Sequence, residues 1–200
     1  MIGITGGIAS GKSVVGSRLK ELGAVVLDAD VLAYQVVEPL TAGWLEVKDA
    51  FPEVIQEDLT IDRRLLAQII FADSKRRFDL EAIVHPKVLA LMQKEADKWE
   101  KQGRLVFCEV PLLYEAGWDV WLKEVWVVYV EPQIQLQRLI NRAHVSLKEA
   151  KQMIASQMPL EEKVKRAAKV IDNSYSLEHT LKQVDALWKE LQHESSTYRS

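Results

Sequence analysis

Short apolar runs alternate along the chain with longer segments in which apolar residues recur every third or fourth position. The runs Ile2–Thr5, Val25–Leu27, Leu105–Val110, Val125–Val130 and Val170–Ile171 predict five strands. "VWVVYV", at 125–130, shows little polar alternation, as expected of a strand covered on both faces. Helical patterns separate the runs, and that alternation predicts an α/β layered fold with a parallel sheet. In "KSVVGSRLKELG", Val15, Leu19 and Leu22 share one helix face, and Gly23 supplies a C-terminal stop. "SLKE", Ser146 to Glu149, has capping-box spacing and predicts a helix running toward Gln157, before Pro159. Leu177, Leu181, Val184, Leu187, Trp188 and Leu191 recur at helical spacing in the last segment, and the polar tail "HESSTYRS" is expected to fray.

Residues 31–104 separate the second and third strands, far more chain than one crossover helix needs. The pattern there is mostly helical, with Pro39, Pro52 and Pro86 as punctuation. Two readings fit: a substrate-binding lobe beside a nucleotide site, or extra helices padding one sheet face.

Composition narrows the class. At 200 residues, 48% hydrophobic and 28% charged, the chain has the make-up of a soluble globular protein with one good core. Its net charge of -3 lacks the basic excess of a dedicated nucleic-acid binder, so no nucleic-acid partner is expected. No apolar run approaches the roughly 18 residues that span a bilayer, so no membrane partner is expected either. "MIGITGG" has no basic segment or cleavable apolar core, and we expect no export signal. The single cysteine, Cys108, cannot form an internal disulfide; it is expected to pack in the core of a protein in a reducing, cytoplasmic setting.

"GGIASGKS" satisfies G-x-x-x-x-G-K-[ST] through Gly6, Gly11, Lys12 and Ser13, between a predicted strand and a predicted helix. A glycine-rich turn in that place can point its backbone N–H groups inward as a nest for phosphate oxygens, and the helix adds the positive end of its dipole. Lys12 can reach the β- and γ-phosphates, and the Ser13 hydroxyl can ligate Mg²⁺. A P-loop does not name the reaction. The chain has neither the DxxG nor the N/T-K-x-D segment of a GTPase. The third apolar run leads into "PLLYEAG" rather than the Asp or Asp-Glu of a motor ATPase, which favours a small-molecule kinase. In "VVLDADVLA", Asp28 and Asp30 lie at the carboxyl end of a predicted strand, where ligands bind in open α/β sheets. On an extended segment the two would point the same way. One could orient an acceptor hydroxyl or hold Mg²⁺ through water, while either could cap the following helix; for Asp28, capping or support is the favoured reading.

Together "TGGIASGKS", "DAD" at 28–30, "HP" at 85–86, "VPLLYE" at 110–115, "QLQRLINR" at 135–142 and "VIDNS" at 170–174 resemble the dephospho-coenzyme A kinase family, in its order and spacing, from residue 2 to about residue 190. The resemblance implies a P-loop kinase three-layer sandwich with a five-stranded parallel sheet, a helical acceptor-binding insertion and a small lid. It implies one domain over residues 1–200, with a core near 1–30, 99–137 and 159–192, the insertion near 31–98 and the lid near 138–158. The implied reaction moves the γ-phosphoryl of ATP, with Mg²⁺, to the ribose 3′-hydroxyl of dephospho-coenzyme A, the last step of coenzyme A synthesis. As carried over by the resemblance, Lys12, Asp30 and Arg138 are catalytic, with Asp30 the base toward the 3′-hydroxyl. Gly7, Ile8, Ala9, Ser10, Gly11, Lys12, Ser13 and Val14, with Arg142 and Asn173, contact the nucleotide; Asn173 belongs to the segment against adenine. Ser13 also binds the metal, and Asp30, His85 and Leu113 contact the acceptor. Arg138 and Arg142 lie one helical turn apart, on a face where the lid would close. The partners expected are the two small-molecule substrates, and the chain is expected to be a monomer or weak homo-oligomer. The loop departs from the family's frequent "GGIGSGKST" at Ala9 and Val14; Ala9 requires that residue 9 avoid a backbone region reserved for glycine, and we expect that it does.

Overall fold

The structure is a computed structural model, and it describes residues 1–197. Its first strand, β1 (Ile2–Gly6), is buried at every position, because it lies in the middle of a five-stranded parallel sheet. The other strands are β2 (Val25–Asp28), β3 (Val106–Glu109), β4 (Glu124–Tyr129) and β5 (Lys169–Asp172), in the order β2-β3-β1-β4-β5. All five predicted runs are strands, their ends displaced by at most one residue. Ile4 is in register with Glu109 on one side and Trp126 on the other, and Val128 with Ile171. The chain leaves β1 toward β2 and β3, then crosses to β4 on the opposite side. That reversal is the switch point at which open α/β sheets bind ligands.

The chain divides into two units, Met1–Val26 with the chain from Trp99 on, and Leu27–Lys98. The first carries the sheet's main core: Ile2, Ile4, Val15, Leu19, Phe107, Trp126, Val128, Ile171, Val184 and Trp188 pack together. Phe107 meets Trp126 edge-on, with ring centroids 5.1 Å apart. Helix α1 (Lys12–Glu21) buries Val15 and Leu19 and ends as expected: Gly23, at φ 100, donates to the Lys20 carbonyl while Ala24 donates to Leu19. Cys108 is fully buried, and burial pushes its thiol up to about 12, which keeps it a packing residue.

In the second unit, α2 (Ala29–Gln35), α3 (Ala42–Ala50), a 3₁₀ turn (Pro52–Val54), α4 (Arg63–Ala72) and α5 (Ser74–Glu100) follow one another. Val37, Val47, Phe51 and Val54 form a separate core, ringed by half-buried side chains of α4 and α5. Helix α4 carries Leu65, Leu66, Ile69 and Ile70, yet none of its residues is fully buried. Pro86 does not punctuate the chain as expected. It lies inside the 27-residue α5, because one missing N–H is outweighed by the face that buries Val88, Met92 and Ala96.

The remaining helices belong to the first unit. Between β4 and β5 come α6 (Pro132–Ala143), α7 (Leu147–Ala155) and α8 (Leu160–Arg166), and α9 (Leu177–Thr197) follows β5. The capping box at α7 is complete, with Ser146 accepting from the Glu149 N–H and Glu149 accepting from Ser146. Val184, Trp188 and Leu191 of α9 are buried as predicted, while Leu177 is exposed at the first turn. The helix continues into the tail expected to fray, and the rest of that tail, 198–200, lies outside the described residues.

Candidate active site

The nucleotide loop follows β1 without a break, and α1 begins at Lys12. Gly11 is the N-cap residue at φ 93 and offers no capping side chain to the first turn of α1, the helix end whose dipole favours an anion. Lys12 Nζ reaches back over the loop to the carbonyls of Gly6 and Gly7, at 3.4 and 3.3 Å. Ser13 is exposed in the first helical turn, and Val14 donates to the Gly11 carbonyl at 3.0 Å. The expectation for Ala9 fails. Its φ of 58 lies in the left-handed region, where a Cβ crowds the following carbonyl at a cost of roughly 1–2 kcal/mol.

Three amide side chains from distant parts of the sequence hold this loop. Asn173, 6% exposed, donates from Nδ2 to the Ser10 carbonyl at 2.8 Å and accepts at Oδ1 from the Thr180 hydroxyl at 2.8 Å. Gln135 donates to the Ile8 carbonyl, and the Gln157 carbonyl accepts from the Ile8 N–H, each at 2.8 Å. The glycines fit against these residues. A Cβ on Gly7 would come within 2.5 Å of Gln135 Nε2, and one on Gly11 within 2.1 Å of Asn173 Nδ2. Asn173 therefore grips the loop through its side chain, a contact that its place in "VIDNS" does not announce.

The turn after β3 is anchored as well. Lys163 of α8, fully buried, donates to the Pro111 carbonyl and the Glu115 carboxylate, both at 3.0 Å. Glu115 also accepts from the Met158 N–H, and Thr5 donates to Pro111. Leu113 is fully buried, and a Cβ on Gly3 would lie 2.8 Å from its Cδ1. The neighbouring Tyr114 hydroxyl is buried without a hydrogen-bond partner, and desolvation pushes the phenol up. Strand β3 ends on a carboxylate that the sequence reading passed over by extending the run to Val110. Glu109 lies beside α1, where a Cβ on Gly16 would come within 2.7 Å of its Oε2. Arg138 and Arg142 are both on α6, half-buried and exposed respectively.

In the second unit, β2 ends at Asp28, so Asp30 is not on an extended segment. Asp28 caps α2, accepting from the Asp30 N–H at 2.8 Å and more weakly from that of Val31. Asp30 is exposed in the first turn of α2. The period-two argument fails there because the cap turns the chain into a helix one residue earlier. His85 is half-buried and lies within α5 rather than at a helix boundary.

A sequence profile described as dephospho-CoA kinase matches residues 1–179. The chain belongs to the dephospho-CoA kinase family. The dephospho-CoA kinase of Shouchella clausii is 48% identical over 191 residues, covering 94% of this chain and 97% of its own. That of Symbiobacterium thermophilum is 46% identical, over 94% of this chain and 80% of its own. Among solved structures, TT1252 of Thermus thermophilus superposes with a TM-score of 0.81 at 40% identity, over 95% of this chain and 96% of its own. The dephospho-CoA kinase of Campylobacter jejuni does so with a TM-score of 0.75 at 28% identity, over the same shares. Shikimate kinase of Acinetobacter baumannii, at 17% identity and a TM-score of 0.54, shares the P-loop kinase fold, covering 96% of this chain and 93% of its own. As a member of the dephospho-CoA kinase family, the chain is a phosphotransferase. In it, Gln135, Gln157, Thr180 and Lys163 are supporting residues that sequence reasoning missed. The two glutamines and Lys163 act across long stretches of chain, Thr180 acts through Asn173 seven positions before it, and no local pattern marks a glutamine, threonine or lysine for that role.

Proposed function

We propose that this member of the dephospho-CoA kinase family transfers the γ-phosphoryl of ATP to the ribose 3′-hydroxyl of dephospho-coenzyme A, giving ADP and coenzyme A. Membership of the family supports the choice of acceptor, and the observation that carries the phosphoryl transfer is the nucleotide loop, complete at Gly6, Gly11, Lys12 and Ser13 and held by Asn173, Gln135 and Gln157. Backbone N–H groups of the loop that are not already bonded within the protein, together with the Lys12 ammonium, receive the phosphates; Lys12 exchanges the loop carbonyls for phosphate oxygens. Arg138 meets the charge spread over the transferring group, and Arg142, one turn on, contacts the nucleotide. Asp30 orients the acceptor hydroxyl and takes its proton. Because the transition state is loose, orientation counts for more than early proton removal. Asn173 supports the nucleotide from beneath the loop, and His85 contributes to acceptor binding. Leu113, being fully buried, shapes the turn after β3 in this conformation rather than meeting the acceptor.

Mg²⁺ fits this site, since it binds few protein oxygens and takes the rest from phosphates and water. Ser13 offers an exposed hydroxyl, and Glu109 supplies a carboxylate beside the same helix. When bound, the ion would neutralise phosphate charge. Residues 138–158 serve as the lid, whose closure excludes water from the transferring group, and residues 31–98 receive the acceptor. We place the protein in the cytoplasm as a monomer or weak homo-oligomer. A coupled assay with ATP, Mg²⁺ and dephospho-coenzyme A tests the reading: ADP should form only when the acceptor is present. ADP formation with a different alcohol acceptor, and none above background with dephospho-coenzyme A, would overturn it.

A further inference from the structure

Ile8 of the nucleotide loop is held at both of its backbone groups, by two glutamines that stand on either side of one long segment. Its N–H donates to Gln157 Oε1 and its carbonyl accepts from Gln135 Nε2, each at 2.8 Å. Gln135 is buried near the start of α6, and Gln157 is half-buried just past the end of α7. Between them lie the rest of α6, with Arg138 and Arg142, and α7, which buries only Ala150. Gln135, Arg138 and Arg142 share one face of α6, so the bond from Gln135 also fixes where that face stands against the loop. The far end is secured at the next residue too. Met158 donates its N–H to Glu115, whose carboxylate accepts from the buried Lys163.

The loop residue gripped in this way sits at a conformational choice. Ser10 donates its N–H to the Gly7 carbonyl at 3.2 Å, closing a turn with Ile8 and Ala9 at its centre. The φ of 58 at Ala9 gives that turn the left-handed third residue of type II. In type I, the commoner form, the peptide between the two central residues faces the other way. Relaxing Ala9 to negative φ would therefore flip the Ile8–Ala9 peptide and take the Ile8 carbonyl away from Gln135. The carbonyl and N–H of a trans peptide point in opposite directions, so Gln135 also aims the Ala9 N–H away from itself. Gln157 fixes the peptide before it.

We propose that Gln135 and Gln157 are positioning residues that couple the nucleotide loop to the segment between them, so that seating the phosphates and closing that segment are one event. The loop keeps its left-handed Ale-free alternative suppressed only while both glutamines are in place, and both are in place only while the two ends of the segment are seated. The proposal rests on the reading that residues 138–158 are the lid.

The two bonds have opposite polarity, which makes the test specific. At 157 the side chain accepts, so Gln157→Glu keeps the bond and Gln157→Leu removes it. At 135 the side chain donates, so Gln135→Glu sets two acceptors face to face and Gln135→Leu leaves the carbonyl unpaired. In the coupled assay, Gln157→Leu, Gln135→Leu and Gln135→Glu should each lower kcat by about tenfold or more. Gln157→Glu should retain about fivefold more turnover than Gln157→Leu. The added charge is common to the two Glu variants, so their difference reads the bond. Where a Leu variant fails to fold, the Glu pair alone decides. Turnover restored equally by Glu at both positions, or unchanged in all four variants, would overturn the positioning role.

Amide exchange with a saturating non-hydrolysable ATP analogue tests the coupling itself. In wild type the analogue should slow the amides of α7 together with those of the loop. In Gln135→Glu it should slow the loop and leave α7 at its free rate; α7 slowed there as in wild type would overturn the coupling. If α7 did not respond in wild type, residues 138–158 would not be the lid, and the proposal would fall with that reading.

Discussion

Gly11 and Gly23 make an internal comparison at the level of single residues. Both hold positive φ, 93 and 100, so a Cβ strains either by roughly 1–2 kcal/mol. A Cβ on Gly23 meets nothing within 4 Å, whereas one on Gly11 comes within 2.1 Å of Asn173 Nδ2. Asn173 cannot move aside cheaply, because its two buried hydrogen bonds to Ser10 and Thr180 fix both ends of its amide. Gly23→Ala should therefore lose about 1–2 kcal/mol in denaturant melts while binding ATP as wild type does. Gly11→Ala should also weaken ATP at least tenfold, and wild-type ATP affinity in that variant would show that the Asn173 grip is soft. Asp30 allows a second residue-level test. Asp30→Asn keeps shape and removes the negative charge and proton acceptor, so kcat should fall about tenfold or more while ATP affinity stays within twofold. Unchanged turnover would leave Asp30 a first-turn residue of α2 with no part in the transfer. The motif residues were legible because a P-loop is local: four positions in one short stretch declare it. The residues that hold the loop were not. Asn173 and Gln135 act on it across 163 and 127 positions of chain, and an amide side chain looks the same in a solvated helix as in a clamp.

Helix α7 shows how an element's end depends on one titrating group. The Ser146 hydroxyl and N–H both reach the Glu149 carboxylate, holding its pKa below the usual range. A carboxyl whose folded pKa is depressed stabilises the fold above its unfolded value, near 4.3, and loses that contribution as pH falls through the lower folded value. Amide exchange at the first turn of α7 should be well protected at neutral pH and lose protection below about pH 4, ahead of the core amides. In Ser146→Ala that first turn should be less protected at neutral pH and show less pH dependence; an unchanged profile would detach the effect from the cap. The element boundaries that failed in the sequence failed for related reasons. Asp28 as N-cap starts α2 early enough to take Asp30 off the strand, and burial of one face of α5 carries the helix through Pro86. Both are cases in which a local rule met a stronger neighbour: a side-chain cap in the first, tertiary packing in the second. The five strands were read almost to the residue because each carries a short apolar run, buried throughout in β1 and at most positions of β3 and β4, where period and composition agree.

At the scale of the whole molecule, the two units differ in how completely they are packed. The unit around the sheet has a core filled by Phe107, Trp126, Ile171, Val184 and Trp188, with buried side chains gripping the nucleotide loop. The unit Leu27–Lys98 has a smaller core, a 310 Å³ cavity and an α4 in which no residue is fully buried. Local opening follows packing, so amides of α2 and α4 should exchange faster than those of β1 and β4 in the free protein. A ligand that binds only the closed form of a unit stabilises it by about 2.7 kcal/mol when present at 100 times its Kd. For amides that exchange by opening of that unit, this corresponds to about a hundredfold slowing. Dephospho-coenzyme A should therefore slow α2 and α4 by up to that factor, while a non-hydrolysable ATP analogue slows the loop from Gly6 to Val14 and the start of α1. The two ligands give separate footprints because each closes a unit with its own core. If dephospho-coenzyme A protected only the nucleotide loop and left α2 and α4 exchanging at the free rate, residues 31–98 would be padding rather than an acceptor lobe. The long insertion would then owe its length to covering the sheet, the alternative that its sequence leaves equally open.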